Sequence, residues 1–387
     1  MLAGRGAWGS ASCLLLILLS ADFSRTEAPP IEISQFQDSI NHWQNKHGRD
    51  RKDQRWKPSQ VVEIADNILQ YQNPDGGWPK SIDWLAKIPA EEVREIYRSS
   101  IHRSTLDNRN TYPQVEYIAK VYSQTGIERF RESAARGLEY ILAEQRPSGG
   151  WRGSDVDAIT FNDDVMVGVM TLLLDIREGV EHFSWLDETR RKRVAEALDR
   201  AVSVTLACQI EVDGTKTAWC QQHDHQNLKP VAARTFELPS ICGQESVGIV
   251  RFLMKLKDPS PEARGAVEAA VQWFEQAAIR GLRLERVPIP AQRFENHTAT
   301  HDVVVVSDPA APRMWARYYD LETGKPFFCN RDGRKVESLA EVEIERRTGY
   351  AWYGYWPESL LRDDYPSWRE RSGGFPRTEE GPSGGLR

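Results

Sequence analysis

One pattern occurs twice in the chain and restricts the fold more than any other feature. Ile-Leu-x-x-Gln-x-Pro-x-Gly-Gly-Trp spans residues 68–78 and again residues 141–151. Each copy follows an apolar helical period, and its Pro and Gly-Gly indicate a turn that ends the helix. A weaker third copy at 207–219 keeps Gln209 and a displaced Trp219. Because such a repeat must stack on its neighbours, we expect an all-α fold, an (α/α) toroid of paired helices with long irregular loops and a few short strands.

The tryptophans of the motif have two possible roles. Trp78 and Trp151 are expected to pack against the next helix hairpin, because buried aromatic rings outnumber exposed ones. The alternative is a wall that faces a sugar, which the total of 13 Trp in 387 residues leaves open. The turn is therefore interpreted as scaffold, and the chemistry is expected in the loops between its copies.

The two ends of the chain differ in composition from the rest. A basic residue, a short apolar run at 13–20 and small residues after it are typical of a secretory signal peptide. This run is too short to span a bilayer. Residues 370–387 are rich in Gly, Pro and charge, which indicates disorder. We expect a signal peptide at 1–28, one domain at 29–369 and a disordered tail, in a secreted or periplasmic protein without further membrane association.

Charge and cysteine content exclude some functions and leave others open. The formal net charge of -6 is spread along the chain without a basic stripe, so nucleic acid is not expected as a partner. Removal of the signal peptide leaves Cys208, Cys220, Cys242 and Cys329. Their spacing does not match a zinc site, and both disulfide pairing and buried free thiols remain compatible with it. A monomer is expected.

Acidic residues stand out in two loops that precede predicted helices. Asp107 lies before the helix predicted from residue 113, and Asp163 and Asp164 begin the helix predicted over 162–179. Helix capping explains a single acid in such a position. Two adjacent carboxylates repel each other unless a cation is close, and oxygen ligands suit Ca²⁺, so a metal or catalytic role is favoured for the pair.

A long segment at 211–240 has no clear helical or strand period. Irregular segments of this length inside a domain are usually functional or disordered, and its Trp, Cys and Phe argue against disorder. Its polar candidates are Lys216, His223, Asp224, His225, Lys229, Arg234 and Glu237. Each basic residue taken singly is a surface charge. Together, near acidic loops, they indicate a site for an anionic ligand held with a divalent cation.

An acidic polysaccharide fits this combination of charges. A uronate has a proton at C5, next to its carboxylate, and a leaving group at C4. Removal of the proton places negative charge on the carboxylate, where Ca²⁺ and cationic side chains stabilise it. The residues therefore indicate β-elimination, a reaction in which no water is consumed.

The motifs taken in order resemble those of the pectate lyases of polysaccharide lyase family 10. The matching pieces extend across nearly the whole predicted domain. They include ADNILQYQNPDGGWPK at 65–80, STLDN at 104–108, FNDD at 161–164, ARTFELPS at 233–240, DPAAPRMWARYYDLETGKPFFCNRDG at 308–333 and VESLAEVEIERRTGYAWYGYWP at 336–357. A single Gly-Gly-Trp would be a weak indication, whereas this ordered set is specific.

The resemblance implies a toroid fold, polygalacturonate (pectin) as the substrate, Ca²⁺ as the cofactor and an arginine as the base. The segment that matches the family's arginine stretch points to Arg234 as this base. The FNDD acids Asp163 and Asp164 are implied to face the metal. The expected substrate contacts are Asp107, Lys216, His223 and Arg331.

The resemblance also carries an expectation about pH and two departures from the family pattern. The ordinary pKa of arginine is about 12.5 or higher, and a solvent-excluded, cation-rich site would lower it, so activity is expected to rise into the alkaline range. Residues 107–114 insert Arg109, Asn110 and Pro113 where the family has a small Gly-Ala-Thr turn. Residues 152–159 lack the aromatic and histidine groups of the family. Both loops border the expected substrate cleft.

Two other functions remain as alternatives. An inverting glycoside hydrolase on the same scaffold would use two carboxylates, such as Asp107 and Asp164, around a water molecule. A non-catalytic pectin-binding protein would keep the scaffold without turnover. The retained Arg234 and FNDD segments argue against this second alternative.

Overall fold

The structure is a computed structural model that describes residues 29–49, 51–89, 91–92, 95, 103–295 and 297–371. The predicted signal peptide at 1–28 lies outside these residues, as does the predicted tail apart from its first two residues. None of the helices in this part of the chain combines the length and the apolar character that crossing a bilayer requires.

Helices form most of the described chain before residue 280. The α-helices of the described chain, of which the last three follow residue 280, are α1 Gln37–His47, α2 Val61–Leu69, α3 Tyr112–Thr125, α4 Glu128–Ala143, α5 Val165–Arg177, α6 Glu188–Ala207, α7 Glu245–Lys255, α8 Pro261–Ala277, α9 Ile344–Gly349, α10 Trp356–Ser359 and α11 Tyr365–Arg371. The helices α3 and α4, α5 and α6, and α7 and α8 pack as successive pairs. The first members of the pairs contact one another in chain order, and so do the second members, which gives two layers of helices.

Strands make the fold a mixed one, so the all-α class predicted from the sequence is wrong. The strands are β1 Ile159–Thr160, β2 Glu211–Val212, β3 Thr215–Lys216, β4 Gln222–His223, β5 Ile241–Cys242, β6 Leu282–Arg293, β7 Thr298–Ser307, β8 Trp315–Ala316, β9 Tyr318–Tyr319, β10 Pro326–Cys329, β11 Lys335–Val336 and β12 Tyr353–Gly354. A four-stranded sheet has the order β11-β10-β9-β5, and β6 and β7 form a long antiparallel hairpin. Many of these strands have only two residues, which is too short for a sequence period to reveal.

The two copies of the repeated motif have the same local structure. Gln72 donates from Nε2 to the carbonyl of Gly76 at 2.8 Å and to that of Ser133 in α4 at 3.0 Å. Gln145 donates in the same way to the carbonyl of Gly149 at 2.8 Å and to α6 at 2.8 Å. The conserved geometry follows from the motif itself, because each glutamine joins its own turn to the second helix of the next pair.

The motif tryptophans are packing residues. Trp78, Trp151 and Trp219 are fully buried. Trp78 donates from Nε1 to the carbonyl of Ile68 at 2.9 Å, and Trp151 donates to that of Ile141 at 2.7 Å. Trp219 makes the corresponding bond to the last turns of α6 at 2.7 Å. The predicted packing role is therefore confirmed, and the sugar-facing alternative does not apply to these three residues. Cys208, Cys220, Cys242 and Cys329 are buried free thiols.

The turn glycines allow a direct test of this scaffold. Gly149 has φ +96°, and a Cβ added there would lie 2.6 Å from the carbonyl oxygen of Arg200. Because the backbone would have to move, we expect Gly149→Ala to lower the free energy of unfolding by about 2 kcal/mol or more in urea titrations. The control is Gly179→Ala, since Gly179 has φ +79° but no atom within 4 Å, and only about 1 kcal/mol should be lost. Equal losses would contradict the close approach.

Candidate active site

Arg234 lies in the irregular segment between β4 and β5, where a tight turn joins it to Glu237. The backbone N–H of Glu237 donates to the carbonyl of Arg234 at 2.8 Å, and the Arg234 N–H donates to Glu237 Oε2 at 3.3 Å. Arg234 Nη2 also donates to Glu237 Oε1. The carboxylate is 1% exposed whereas the arginine side chain is 40% exposed. One edge of the guanidinium is thus held by a buried acid, and the remainder is open to a ligand.

This ion pair determines the protonation state of Arg234. Burial lowers its pKa, but the hydrogen bond from the guanidinium to Glu237 and the charge of that carboxylate outweigh burial, so the pKa is raised. The sequence-based expectation of a lowered arginine pKa is therefore wrong for the protein without a ligand. A buried carboxylate partner, which the expectation did not include, is the physical reason.

Three guanidinium groups surround the ring of Phe236. The Cζ atoms of Arg234, Arg331 and Arg346 lie 5.0, 5.4 and 4.8 Å from the ring centroid. Arg331 and Arg346 both bind Glu345, at 2.9 and 2.8 Å. Arg346 is buried, whereas the Arg331 side chain is 42% exposed. The structure therefore brings Arg331 next to Arg234 and leaves it accessible to an anionic group.

Two loops with unusual backbone conformation meet beside this cluster. Their non-glycine residues with positive φ are Asn108, Arg109, Thr111, Asp163 and Asp164. The Arg109 N–H donates to the carbonyl of Asp163 at 3.4 Å, and Arg109 Nε donates to Asp164 Oδ2 at 2.6 Å. Such conformations persist where the surroundings enforce them, and they are frequent at functional sites.

Asp163 is partly buried and has no basic partner among the described residues. Its Oδ2 accepts a hydrogen bond from Asn162 Nδ2 at 2.9 Å. Burial and the charge of Asp107 raise its pKa to about 7, against the opposing charges of Arg317 and Arg234. A carboxylate in this position is destabilised when ionised, and a bound cation would relieve that cost.

Asp107 has surroundings that keep it ionised. Its side chain is 6% exposed and accepts hydrogen bonds from Lys80 Nζ and Ser154 Oγ. Burial raises its pKa, but the charge of Lys80 and these hydrogen bonds outweigh burial and lower the pKa overall. The backbone at Gly153 passes close by, since a Cβ added there would lie 3.2 Å from Asp107 Oδ1.

A buried hydrogen-bond network begins at the partner of Arg234. The hydroxyl of Tyr350 donates to Glu237 Oε1 at 3.2 Å and lies 2.6 Å from the hydroxyl of Tyr318. Tyr318 in turn donates to Gln221 Oε1 at 2.6 Å. Tyr318 and Gln221 are almost completely buried, so this part of the network is shielded from water.

The same network continues to Asp163. Gln221 Nε2 donates to Glu245 Oε1 at 2.8 Å and to Asn162 Oδ1 at 3.1 Å. Arg317 Nη2 donates to Asn162 Oδ1 at 3.2 Å and forms a buried ion pair with Glu245. Asn162 then contacts Asp163. The sequence analysis did not assign roles to these residues. Their position in or beside the ordered motifs was the feature of the sequence that could have indicated them.

The structure does not bring two of the predicted substrate contacts to this cluster. Lys216 is exposed on the hairpin β2–β3, which packs against the start of α8. His223 is fully buried; its Nε2 accepts the Cys220 N–H at 3.0 Å, and its Nδ1 lies 2.8 Å from the Leu228 carbonyl oxygen. Burial lowers the His223 pKa to about 4. Both ring nitrogens are occupied, so His223 holds the loop in place and does not face a ligand.

The two aspartates predicted to bind the metal also have different partners. Asp164 is bound by Arg109, whereas Asp163 faces Asn162 and feels the charge of Asp107. Within the described residues, no group of three or more His, Cys, Asp or Glu side chains is placed to hold a metal ion. Asp163 is therefore the member of the pair that remains open to a cation.

Comparison with known proteins identifies the family. A family model described as pectic acid lyase matches residues 72–361. A solved family 10 polysaccharide lyase from Cellvibrio cellulosa is 26% identical, with a TM-score of 0.66 over 88% of this chain and 99% of its own. A mutant family 10 lyase from the same organism, in complex with trigalacturonic acid, is 25% identical, with a TM-score of 0.66 over 89% of this chain and 100% of its own. No curated protein sequence matches the chain. The chain therefore belongs to the pectic acid lyase family and is a polysaccharide lyase, as its ordered motifs indicate.

Proposed function

We propose that this pectate lyase cleaves polygalacturonate by β-elimination, with Arg234 removing the C5 proton and Asp163 acting as a ligand of Ca²⁺. The observation that carries the proposal is the buried network between these two residues, because it fixes an accessible cationic group relative to an unpaired carboxylate. Arg331, accessible beside Phe236, is proposed to bind a uronate carboxylate. Asp107 is proposed to border the substrate.

Asp163 suits a cation for three reasons. Its carboxylate is partly buried, forms no ion pair within the described residues and has a raised pKa. Because the described residues contain no group of three or more His, Cys, Asp or Glu side chains placed to hold a metal ion, carboxylates of the substrate would supply further oxygen ligands. When bound, Ca²⁺ would neutralise the uronate carboxylate and make the C5 proton more acidic. Asp164 is not proposed as a ligand, since its carboxylate already forms an ion pair with Arg109.

Arg234 and Glu237 are proposed to act as a unit. A charged guanidinium cannot accept a proton, so Arg234 must first pass one to a neighbour, and Glu237 is the carboxylate that contacts it. A substrate that excludes water from the pair favours its neutral form, because burial penalises charge. Neutral Arg234 then takes the C5 proton, the C4–C5 double bond forms, and the C4–O bond breaks. The pair then holds one proton more than the original ion pair, and it gives that proton to the departing oxygen, which restores charged Arg234 and ionised Glu237.

The charges on Asp107 and Asp164 argue against an inverting hydrolase that uses these two carboxylates. An inverting hydrolase needs one carboxyl group that is protonated and one that is free. Asp107 is held ionised by Lys80, and Asp164 is bound by Arg109. Neither residue is therefore suited to the role of general acid.

Product analysis tests the proposed reaction. The protein would be incubated with polygalacturonate in Ca²⁺ and, separately, with a chelator, and ultraviolet absorbance would be followed. β-Elimination gives a 4,5-unsaturated sugar that absorbs, and the chelator should abolish the increase. New reducing ends without absorbance would support a hydrolase, and binding without either product would support a non-catalytic pectin-binding protein.

The raised pKa of Asp163 predicts how Ca²⁺ binding depends on pH. Below pH 7 this carboxyl group is increasingly protonated and neutral, and a neutral group binds a cation poorly. Calorimetric titration should therefore show affinity falling about tenfold per pH unit below that value. In Asp163→Asn the affinity should be low and independent of pH over the same range. An equal pH slope in the variant would assign the titration to another group. The rise of activity into the alkaline range stays a separate prediction.

Export and oligomeric state are proposed from the sequence alone. The composition of residues 1–28 supports secretion or periplasmic location. Cleavage after this segment, read by mass spectrometry of the exported protein, would test it. We further propose that the protein acts as a monomer, which sedimentation analysis would test.

A further inference from the structure

An open cavity of about 780 Å³ lies next to Asp107, between the turns of the two repeat copies. Residues 73–75 of the first turn and residues 152–154 after the second turn form part of its lining. Tyr140 of α4 lies between them, 8% exposed. The cavity is large enough for a small ligand, since such sites usually measure roughly 300–1,000 Å³.

The lining of this cavity carries more positive than negative charge. Its basic residues are Lys80, Arg103, Arg146 and Arg152, and its acidic residues are Asp75 and Glu144. Asp75 is occupied, because its Oδ1 accepts hydrogen bonds from the Gly77 N–H at 3.0 Å and from Ser104 Oγ at 2.6 Å. Glu144 lies 3.9 Å from Arg146. The net charge therefore suits an anionic ligand.

Two of the arginines are available to such a ligand. Arg103 is exposed and forms no ion pair within the described residues. Arg152 donates to the carbonyls of Gly153 and Ser154, and Asp157 is 4.0 Å away. In contrast, Arg146 lies 3.2 Å from Asp157 and is largely engaged.

The cavity is continuous with the catalytic cluster. Lys80 and Ser154 line the cavity and both donate hydrogen bonds to Asp107. The next residue, Asp155, lies 3.8 Å from Arg234 through Oδ2 and Nε. A single turn of loop 152–155 thus separates Arg234 from the cavity. A polymer that passes Arg234 on the side of Asp107 would enter the cavity.

We propose that this cavity is a binding subsite for a further uronate unit of the polymer, with Arg103 and Arg152 binding its carboxylate. The inference rests on the proposed function, because it assumes an acidic polysaccharide at Arg234. The loop at 152–159, which lacks the family's aromatic and histidine groups, contributes one of the two arginines and leaves the space open. The subsite binds a unit of the polymer beyond the one at Arg234, so it contributes to affinity for long chains.

The test compares chain lengths in the full-length protein. Arg103→Ala/Arg152→Ala should raise KM for long polygalacturonate about tenfold or more, since charge-assisted hydrogen bonds are lost. Its kcat should stay unchanged and its KM for trigalacturonate should rise far less, because a trimer is short enough to bind at Arg234 with fewer units in the cavity. The lysine double variant should recover part of the affinity. Arg362→Ala is the matched control. Arg362 is exposed, pairs with its neighbour Asp363 and is not among the residues that line the cavity.

Each outcome separates the subsite from the proposed function. Equal KM changes for trimer and polymer, or no change for either, would overturn the subsite while the wild-type lyase activity stands. Absence of unsaturated product from the wild-type protein with every substrate would overturn the proposed function instead. A selective loss for the long polymer, with partial recovery in the lysine variant, supports the subsite.

Discussion

Arg234→Ala is expected to reduce formation of unsaturated product by about 10³-fold or more, because the group that removes the C5 proton is lost. The measurement is the initial rate of ultraviolet absorbance on polygalacturonate at saturating Ca²⁺. Helical circular dichroism should be unchanged, since the side chain is 40% exposed and belongs to an irregular segment outside the helices. A variant that keeps full activity would refute Arg234 as the base.

A second variant separates catalysis from folding. Removal of the guanidinium leaves Glu237 buried without its cation, which reduces stability. Arg234→Ala/Glu237→Gln removes the unpaired charge as well, while Gln can still accept the hydrogen bond from Tyr350. We expect the double variant to regain thermal stability and to remain inactive. Recovery of activity together with stability would show that Arg234 has only a structural role.

Asp163→Asn is expected to reduce activity by about 10²-fold or more through loss of Ca²⁺ binding. Its thermal stability should equal or exceed that of the wild type without Ca²⁺. The reason is the raised pKa of Asp163: at neutral pH and above, its ionised carboxylate lacks a partner, and a neutral amide of the same shape removes that penalty. Stability would be followed by thermal unfolding with and without Ca²⁺, and only the wild type should gain from the ion.

Asp164→Asn is the matched control for this prediction. It changes the adjacent residue in the same way but breaks only the partly exposed pair with Arg109. Ca²⁺ affinity should therefore change far less than in Asp163→Asn. If both variants lost Ca²⁺ binding equally, the two aspartates would form a joint site and the assignment to Asp163 alone would be refuted.

The sequence predicts the local parts of this protein well. The repeated motif predicts two similar turns, and Gln72 and Gln145 do make matching bonds, because the same residues at the same spacing produce the same local geometry. The burial of Trp78 and Trp151 follows from the same pattern. The fold class was wrong because many strands have only two residues, which leave no period in the sequence, and because the long hairpin of β6 and β7 was not predicted.

The connections within the site could not be predicted in this way. Tyr318 contacts Gln221 across 97 positions, and Tyr350 contacts Glu237 across 113 positions. No local pattern encodes such a contact. The sequence pointed to Lys216 and not to Lys80, whereas the fold shows that Lys80 is the lysine that reaches Asp107. The motif order located the site, and the tertiary contacts determined its members.

The long hairpin of β6 and β7 has a consequence for the behaviour of the protein at high concentration. An exposed strand edge offers unpaired backbone groups on which other chains can assemble. The more exposed strand, β6, contains Pro288 and Pro290, which cannot donate backbone hydrogen bonds, and charged residues at Arg283, Glu285 and Arg286. Its pairing with β7 is also irregular between Pro288 and Gln292. These features prevent another chain from forming a continuous row of backbone hydrogen bonds with β6. The hairpin can therefore extend into solvent without becoming a template for aggregation.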